Sequence, residues 1–319
     1  MLKNRGIIIH AQDCGDYFAD RLAQTNLNVL GIHPEGGVAA HRSMQACMDM
    51  LVTPEWRRFH SRMEKAGIAV EFEMHALSWI LERGKFDSHK EWFRMGADGK
   101  RTPEFNCCAS NHDVLDYIRE RAALLAKIFC PDTNKYYFWI DDVADAACHC
   151  EKCQEFSSSD QALILYNTIA EGLASVNPAA KLSYLAYFST LPVPTKVTKH
   201  ENVFLEFAPL ARDFDVSLFD KTREKNYSQV KNLPALLDFF GKKDAKVLEY
   251  WMDNSLFSGW KRPPKEFHLN PATCAADVVQ YRKLGFDSIT SFGCFLGEDY
   301  HDLYGDADLS EYDKILSEE

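Results

Sequence analysis

Eight short apolar runs recur along the chain, each followed by a longer stretch with helical spacing, and this alternation limits the fold more than any other feature. The runs are GIIIHA (6–11), LNVLGIHP (27–34), IAVEFEMHALSW (68–79), KYYFWIDDV (135–143), KLSYLAYF (181–188), NVFLEFAPL (202–210), KVLEYWMDNS (246–255) and SITSFGCFL (288–296). Most are near-continuous in Val, Ile, Leu, Phe and Tyr, as expected of parallel strands covered by helices on their outer side. Between them, TPEWRRFHSRMEKAG predicts a helix capped by Thr53 and ended at Gly67. SNHDVLDYIRERAALLAKIF predicts another, capped by Ser110 or Asn111, and SSSDQALILYNTIAEGLASVNP and PATCAADVVQYRKLGF read the same way. Eight strands alternating with helices predict a (β/α)8 TIM barrel of the α/β class, a single domain over residues 1–319. A doubly wound sheet is the competing arrangement. No Gly/Ser-rich linker, low-complexity tract or repeat divides the chain. The segment 80–110 reads as a long excursion after the third strand, suited to holding substrate.

Composition narrows the partners. A net charge of −11 without a long basic run argues against nucleic acid. No apolar stretch approaches the roughly 20 residues needed to span a bilayer, and the N-terminus has too short an apolar segment for a signal peptide. A chain of 319 residues does not need disulfide staples, so its ten cysteines are read as thiols of a reducing, cytoplasmic compartment. Export from a longer precursor stays open, and oligomeric state has no signature in the sequence.

In a barrel of this kind the chemistry gathers at the C-terminal strand ends. Those ends bring His10 and Asp13, His33 and Glu35, then Glu73, His75 and Trp79. Asp141 and Asp142 follow, then Tyr187, Glu206, Glu249, Tyr250, Trp251, Asp253 and Asn254. Flat rings among carboxylates and amides suit a carbohydrate. The expected substrate-binding set is therefore His75, Trp79, Tyr187, Glu206, Glu249, Trp251, Asp253 and Asn254. Trp251, Asp253 and Asn254 are expected nearest the rim, for stacking and hydroxyl binding. Glu206 and Glu249 lie inside strand-like runs, where each can equally be a satisfied buried carboxylate.

The pair Asp141–Asp142 is the expected catalytic centre. Like charges in close proximity push one carboxyl upward, so one member can act as acid while its neighbour stays ionised, a division of labour that glycoside hydrolysis requires. The plainer alternative is a helix cap or a surface ion pair. Beyond the pair, Cys148, Cys150 and Cys153 form C-x-C-x-x-C, three ligands for a structural zinc. Cys107 or, as first choice, Cys108 would be the fourth, with His149 as fallback. No organic cofactor is implied.

Three motifs, FWIDDVADAACHCEKC, VFLEFAPLAR and VLEYWMDNSLFSGW, resemble the barrel family catalogued as domain of unknown function 4838. SDQALILYN and NCCASN add weaker matches, and together the fragments span most of residues 70 to 300. Parts of that family are grouped with endo-β-N-acetylglucosaminidases in glycoside hydrolase family 163. The DDV segment is also similar to the Asp-Asp pair of retaining O-GlcNAc hydrolases. The resemblance implies a β-N-acetylglucosaminidase-type hydrolase in which the substrate's acetamido oxygen is the nucleophile. It implies that Asp141 holds the acetamido N–H and that Asp142 is the acid/base.

Three other readings stand beside this one. A two-carboxylate retaining glycosidase would pair Asp142 with Glu249 or Asp253. A carbohydrate-binding barrel would lack catalysis. A metal-dependent hydrolase could use His10, His33 and His75, although the first strand end reads His10-Ala-Gln-Asp13 where such enzymes usually have His-x-His.

Overall fold

The computed structural model describes residues 2–318. Each apolar run holds one strand: β1 Asn4–His10, β2 Val29–His33, β3 Ala69–Met74, β4 Lys135–Phe138, β5 Lys181–Ala186, β6 Val203–Phe207, β7 Lys246–Glu249 and β8 Ser288–Phe292. They close in sequence order into a barrel, the expected (β/α)8 fold. Its strand pairs are parallel where register is defined, for example Ile8 beside Gly31 and Leu248 beside Thr290.

From β2 to β8 the strands are shorter than the apolar runs that hold them, whereas β1 begins two residues ahead of its run. β4 stops at Phe138, so Asp141 and Asp142 lie in the loop beyond it. β7 stops at Glu249, and turns replace the ladder from there, with Met252 N–H donating to Ser291 Oγ at 3.0 Å and Asp253 N–H to the Tyr250 carbonyl at 3.1 Å. Burial continues past the last ladder bond in both places, which is why an apolar run overstates strand length.

Helix ends follow local chemistry. Thr53 Oγ1 accepts the Trp56 N–H at 3.1 Å ahead of Pro54–Lys65, and Asn111 Oδ1 accepts the Val114 N–H at 3.1 Å ahead of His112–Ala126. Ser157 and Asp160 form a reciprocal capping box at the start of Ser158–Val176. Gly285, at φ +99°, ends Pro271–Leu284 in the left-handed conformation that glycine adopts without penalty.

The chain divides into two compact units. One comprises Met1–His33, Asp49–Glu71 and Glu206–Glu319; the other comprises Pro34–Met48 and Phe72–Leu205. In the second, helices His112–Ala126 and Ser158–Val176 pack closely. A Cβ at Gly172 would run into the Arg119 carbonyl oxygen, so only glycine permits that approach. The excursion after β3 is not structureless. It holds a helical turn at Leu77–Ile80, 3-10 turns at Arg83–Asp87 and Lys90–Trp92, and an antiparallel bridge between Met95 and Arg101.

Candidate active site

The two aspartates beyond β4 have opposite environments. Asp141 is sealed, with its side chain 3% exposed. Its Oδ2 takes hydrogen bonds from the Arg83 guanidinium and from the Asn106 N–H. The Asn106 side chain returns the bond, its Oδ1 accepting the Asp141 N–H at 3.0 Å. Arg83 also donates to the Asn106 carbonyl at 3.3 Å, so the two groups that hold the carboxylate also hold each other. A carboxylate bonded in this way on one oxygen is fixed in orientation.

Asp142 keeps 33% of its side chain exposed. Tyr187, just after β5, donates its hydroxyl to Asp142 Oδ1 at 3.3 Å. Burial, and then the charge of Asp142, push the Tyr187 phenol well above its ordinary range, so it remains a donor. His75, just after β3, donates through Nδ1 to the Ile140 carbonyl at 2.7 Å, which leaves Nε2 facing Asp142 Oδ1 at 3.8 Å. Gly36 completes the surround. A Cβ there would stand 2.8 Å from Asp142 Oδ2 and 3.0 Å from His75 Cδ2. The result is a half-open acid beside an aromatic hydroxyl and an imidazole, next to a sealed, arginine-bound neighbour.

The other expected binding residues are placed differently. Trp79 is partly exposed, and the Arg121 guanidinium lies 4.0 Å from its ring centroid, so a cation covers one face. Glu206 and Glu249 are fully buried in β6 and β7. Lys246 lies 3.3 Å from Glu206, and Arg212 lies 3.0 Å from Glu249. Tyr281 also donates its hydroxyl to Glu249. Burial pushes the Glu249 carboxyl up to about 7, with Arg212 opposing the shift. Trp251, expected at the rim, is instead buried and donates its indole N–H to Asp277 at 3.2 Å. Asp253 and Asn254 are buried as well. Asp253 caps the turn Asn254–Phe257 through Ser255 and Leu256, and Asn254 donates to the Lys265 and Phe295 carbonyls. Their polar atoms complete backbone turns where the sequence suggested hydroxyl binding. His10 and His33 lie with ring centroids 5.9 Å apart, and His10 Nδ1 donates to the His33 carbonyl at 3.2 Å.

Sequence reasoning missed Arg83, Asn106 and Gly36. The signal for Gly36 was the Gly-Gly pair after β2, since glycine at a strand end often marks a close backbone approach.

On the segments that carry Asn106 and Asp141, four thiols converge. Sγ atoms of Cys108, Cys148, Cys150 and Cys153 all lie within 4.8 Å of one another. Cys108 is 3.6 Å from Cys150 and 3.8 Å from Cys153. Tetrahedral zinc with bonds of about 2.3 Å sets sulfur pairs about 3.8 Å apart, whereas a disulfide requires about 2.05 Å. The spacing suits a shared cation, and the set can hold a metal ion. Hydrogen bonds from Cys108 and Cys153 hold the Cys148 thiol far below its ordinary range, and the bond to Cys148, followed by burial, pushes Cys108 up to about 11 while its bond to Cys153 opposes the shift. Cys107 is buried outside the cluster and His149 is exposed, so Cys108 supplies the fourth thiol. Gln161 ties the loop from the helix side, accepting the Cys148 N–H at 2.8 Å and donating to the Cys148 and Cys153 carbonyls. A cavity of about 20 Å³ between Asn106, Ile140 and Gln161 has room for a single water rather than a sugar.

Solved structures with a fold similar to this chain match it at low identity. The cold-adapted β-galactosidase from Rahnella sp. R3 matches with TM-score 0.55 and 12% identity over 98% of this chain and 55% of its own. The GH20 catalytic modules of the pneumococcal exo-β-D-N-acetylglucosaminidase StrH match with TM-score 0.52 and 9% identity, over 99% and 83%. The β-galactosidase of the psychrophilic Marinomonas ef1 matches with TM-score 0.51 and 11% identity, over 91% and 53%. The chain thus spans little more than half of either galactosidase, and these likenesses speak to the fold. No curated protein matches the sequence. The profile of the family described as Domain of unknown function (DUF4838) matches residues 38–239, a span that includes both aspartates and all four clustered cysteines. That span is more than half of the 319 residues, and the chain belongs to the DUF4838 family.

Proposed function

We propose that this chain is a glycoside hydrolase acting on glycans that contain β-linked N-acetylglucosamine, by substrate-assisted retaining catalysis. The observation that carries the reading is the asymmetry of the aspartate pair, with Asp141 locked by Arg83 and Asn106 and Asp142 half-open beside Tyr187 and His75. Asp142 protonates the leaving oxygen as the glycosidic bond breaks, while the acetamido oxygen closes on the anomeric carbon. Asp141 accepts the acetamido N–H through the oxygen that Arg83 and Asn106 leave available. Water then opens the cyclic intermediate, and Asp142 takes its proton. The fold likeness to an exo-β-D-N-acetylglucosaminidase module agrees with this reading.

A two-carboxylate mechanism would need Glu249 or Asp253 within reach of substrate. Glu249 is bound to Arg212 and Tyr281, and Asp253 to a helix cap. For the thiol cluster we propose a structural zinc bound by Cys108, Cys148, Cys150 and Cys153, outside the chemistry.

Aryl β-N-acetylglucosaminides and the matching β-glucosides and β-galactosides, assayed side by side, test the function. Turnover confined to the N-acetylated substrate, with competitive inhibition by a thiazoline analogue, is expected. Turnover of the non-acetylated sugars would indicate another mechanism, and binding without turnover a lectin-like barrel. Elemental analysis of untreated protein tests the metal, with one zinc per chain expected.

A further inference from the structure

We propose that the thiol cluster is a positioning device for Asp141, acting through Asn106. The inference rests on the zinc reading above. The cluster joins two segments that meet at that carboxylate. Cys108 comes from the excursion after β3, two residues beyond Asn106; Cys148, Cys150 and Cys153 come from the loop that carries Asp141.

Phe105 and Asn106 both occupy the left-handed region, at φ +55° and +51°. Asparagine tolerates that conformation, but an aromatic residue adopts it only when its surroundings enforce it. Three attachments hold the segment: Cys108 Sγ sits in the cluster, the Cys108 N–H donates to the Trp92 carbonyl at 2.8 Å, and Arg83 grips the Asn106 carbonyl. In that conformation Asn106 presents a backbone N–H and a side-chain oxygen to Asp141 together, the two-point clamp described above. Across the cluster, the Met95 N–H donates to Cys148 at 3.3 Å, and the Arg101 guanidinium lies within electrostatic reach of Cys108, Cys148 and Cys150. A cation shared by four thiolates would lock both segments in register, and the neighbouring arginine would offset the negative charge of such a centre. Asn106 is thus a positioning residue, and Asp141 is the group positioned.

Amide hydrogen exchange of the full chain tests this, with zinc bound, after removal by a chelator, and after zinc is restored. On removal, the amides of Asn106 and Asp141 are expected to exchange about tenfold faster or more, while the helix Pro271–Leu284 stays protected. Restored zinc returns the original rates. Turnover of an aryl β-N-acetylglucosaminide falls in kcat, by about tenfold or more, with KM within about threefold. Zinc loss without faster exchange at those two amides would overturn the proposal, as would protein that binds no zinc. Should the stripped protein unfold as a whole, Asn106→Ala decides the matter at full zinc occupancy. Faster exchange at Asp141 and a reduced kcat support the clamp, and wild-type values for both refute it. Exchange needs no substrate, so a clamp that responds to zinc in protein without glycosidase turnover would uphold this inference and overturn the function proposed above.

Discussion

Two clusters in this molecule use the same parts, an arginine and two carboxylates, to opposite ends. In the first, Arg212 lies between Glu249 and Asp277, at 3.0 and 2.8 Å, with all three side chains at 0% exposure. Tyr281, Trp251, Ser217 and the Leu218 N–H complete the carboxylates' hydrogen bonds. In the second, Arg83 holds Asp141 only, and Asp142 reaches the surface beside a phenol and an imidazole. A buried ion cluster whose carboxylate oxygens are all hydrogen-bonded within the protein rigidifies a fold but presents nothing to a substrate. When one carboxylate is sealed and its neighbour is left accessible, the sealed one can orient while the open one exchanges protons. Accessibility of the second carboxylate, rather than the presence of a pair, separates the candidate site from the structural knot.

Removing each arginine tests this contrast with the largest effects. Arg212→Met leaves two buried carboxylates without a cation and is expected to lower stability by about 3–5 kcal/mol in denaturant unfolding. Arg83→Met, at a partly exposed arginine, is expected to cost less, about 1–3 kcal/mol, and to reduce turnover. Equal stability losses would break the comparison. Next is Gly36→Ala, whose methyl would displace Asp142 or His75 at the open site. Its φ of −83° is accessible to alanine, so stability should hold while kcat falls by about 10- to 100-fold.

A pH effect marks the sealed cluster. Burial raises Glu249 from 4.5 to about 7. Between those values the folded chain holds a proton that the unfolded chain has released, so stability falls as pH rises across that window. Glu249→Gln should flatten that decline in unfolding midpoints; parallel slopes for the two proteins would contradict it. The smallest effect expected is Tyr187→Phe, which removes one hydrogen bond to Asp142 and should cost about 0.5–1.5 kcal/mol of transition-state stabilisation, read in kcat/KM.

The barrel was legible because its signals are local. Eight apolar runs, the cap Thr53, and the choice between Ser110 and Asn111, which falls to Asn111, each act within a few residues. The thiol cluster was legible for the same reason: three of its members share one short motif, and only Cys108 had to be brought from elsewhere. The partners of Asp141 were not, because Arg83 and Asn106 lie 58 and 35 residues from it and no periodicity connects them. Trp251, Asp253 and Asn254 were expected at the rim because they follow a strand. A residue just past a strand reads the same whether its side chain faces substrate or, as with the Trp251 indole, a buried carboxylate.

The central claim is that Asp142 donates the proton to the leaving oxygen, and leaving-group dependence tests it most directly. Wild type and Asp142→Asn are compared on aryl β-N-acetylglucosaminides whose phenols span a wide range of basicity. The account predicts that the variant loses about 10²- to 10⁴-fold on the most basic leaving groups and far less on the most acidic. The same loss across the whole series would contradict it.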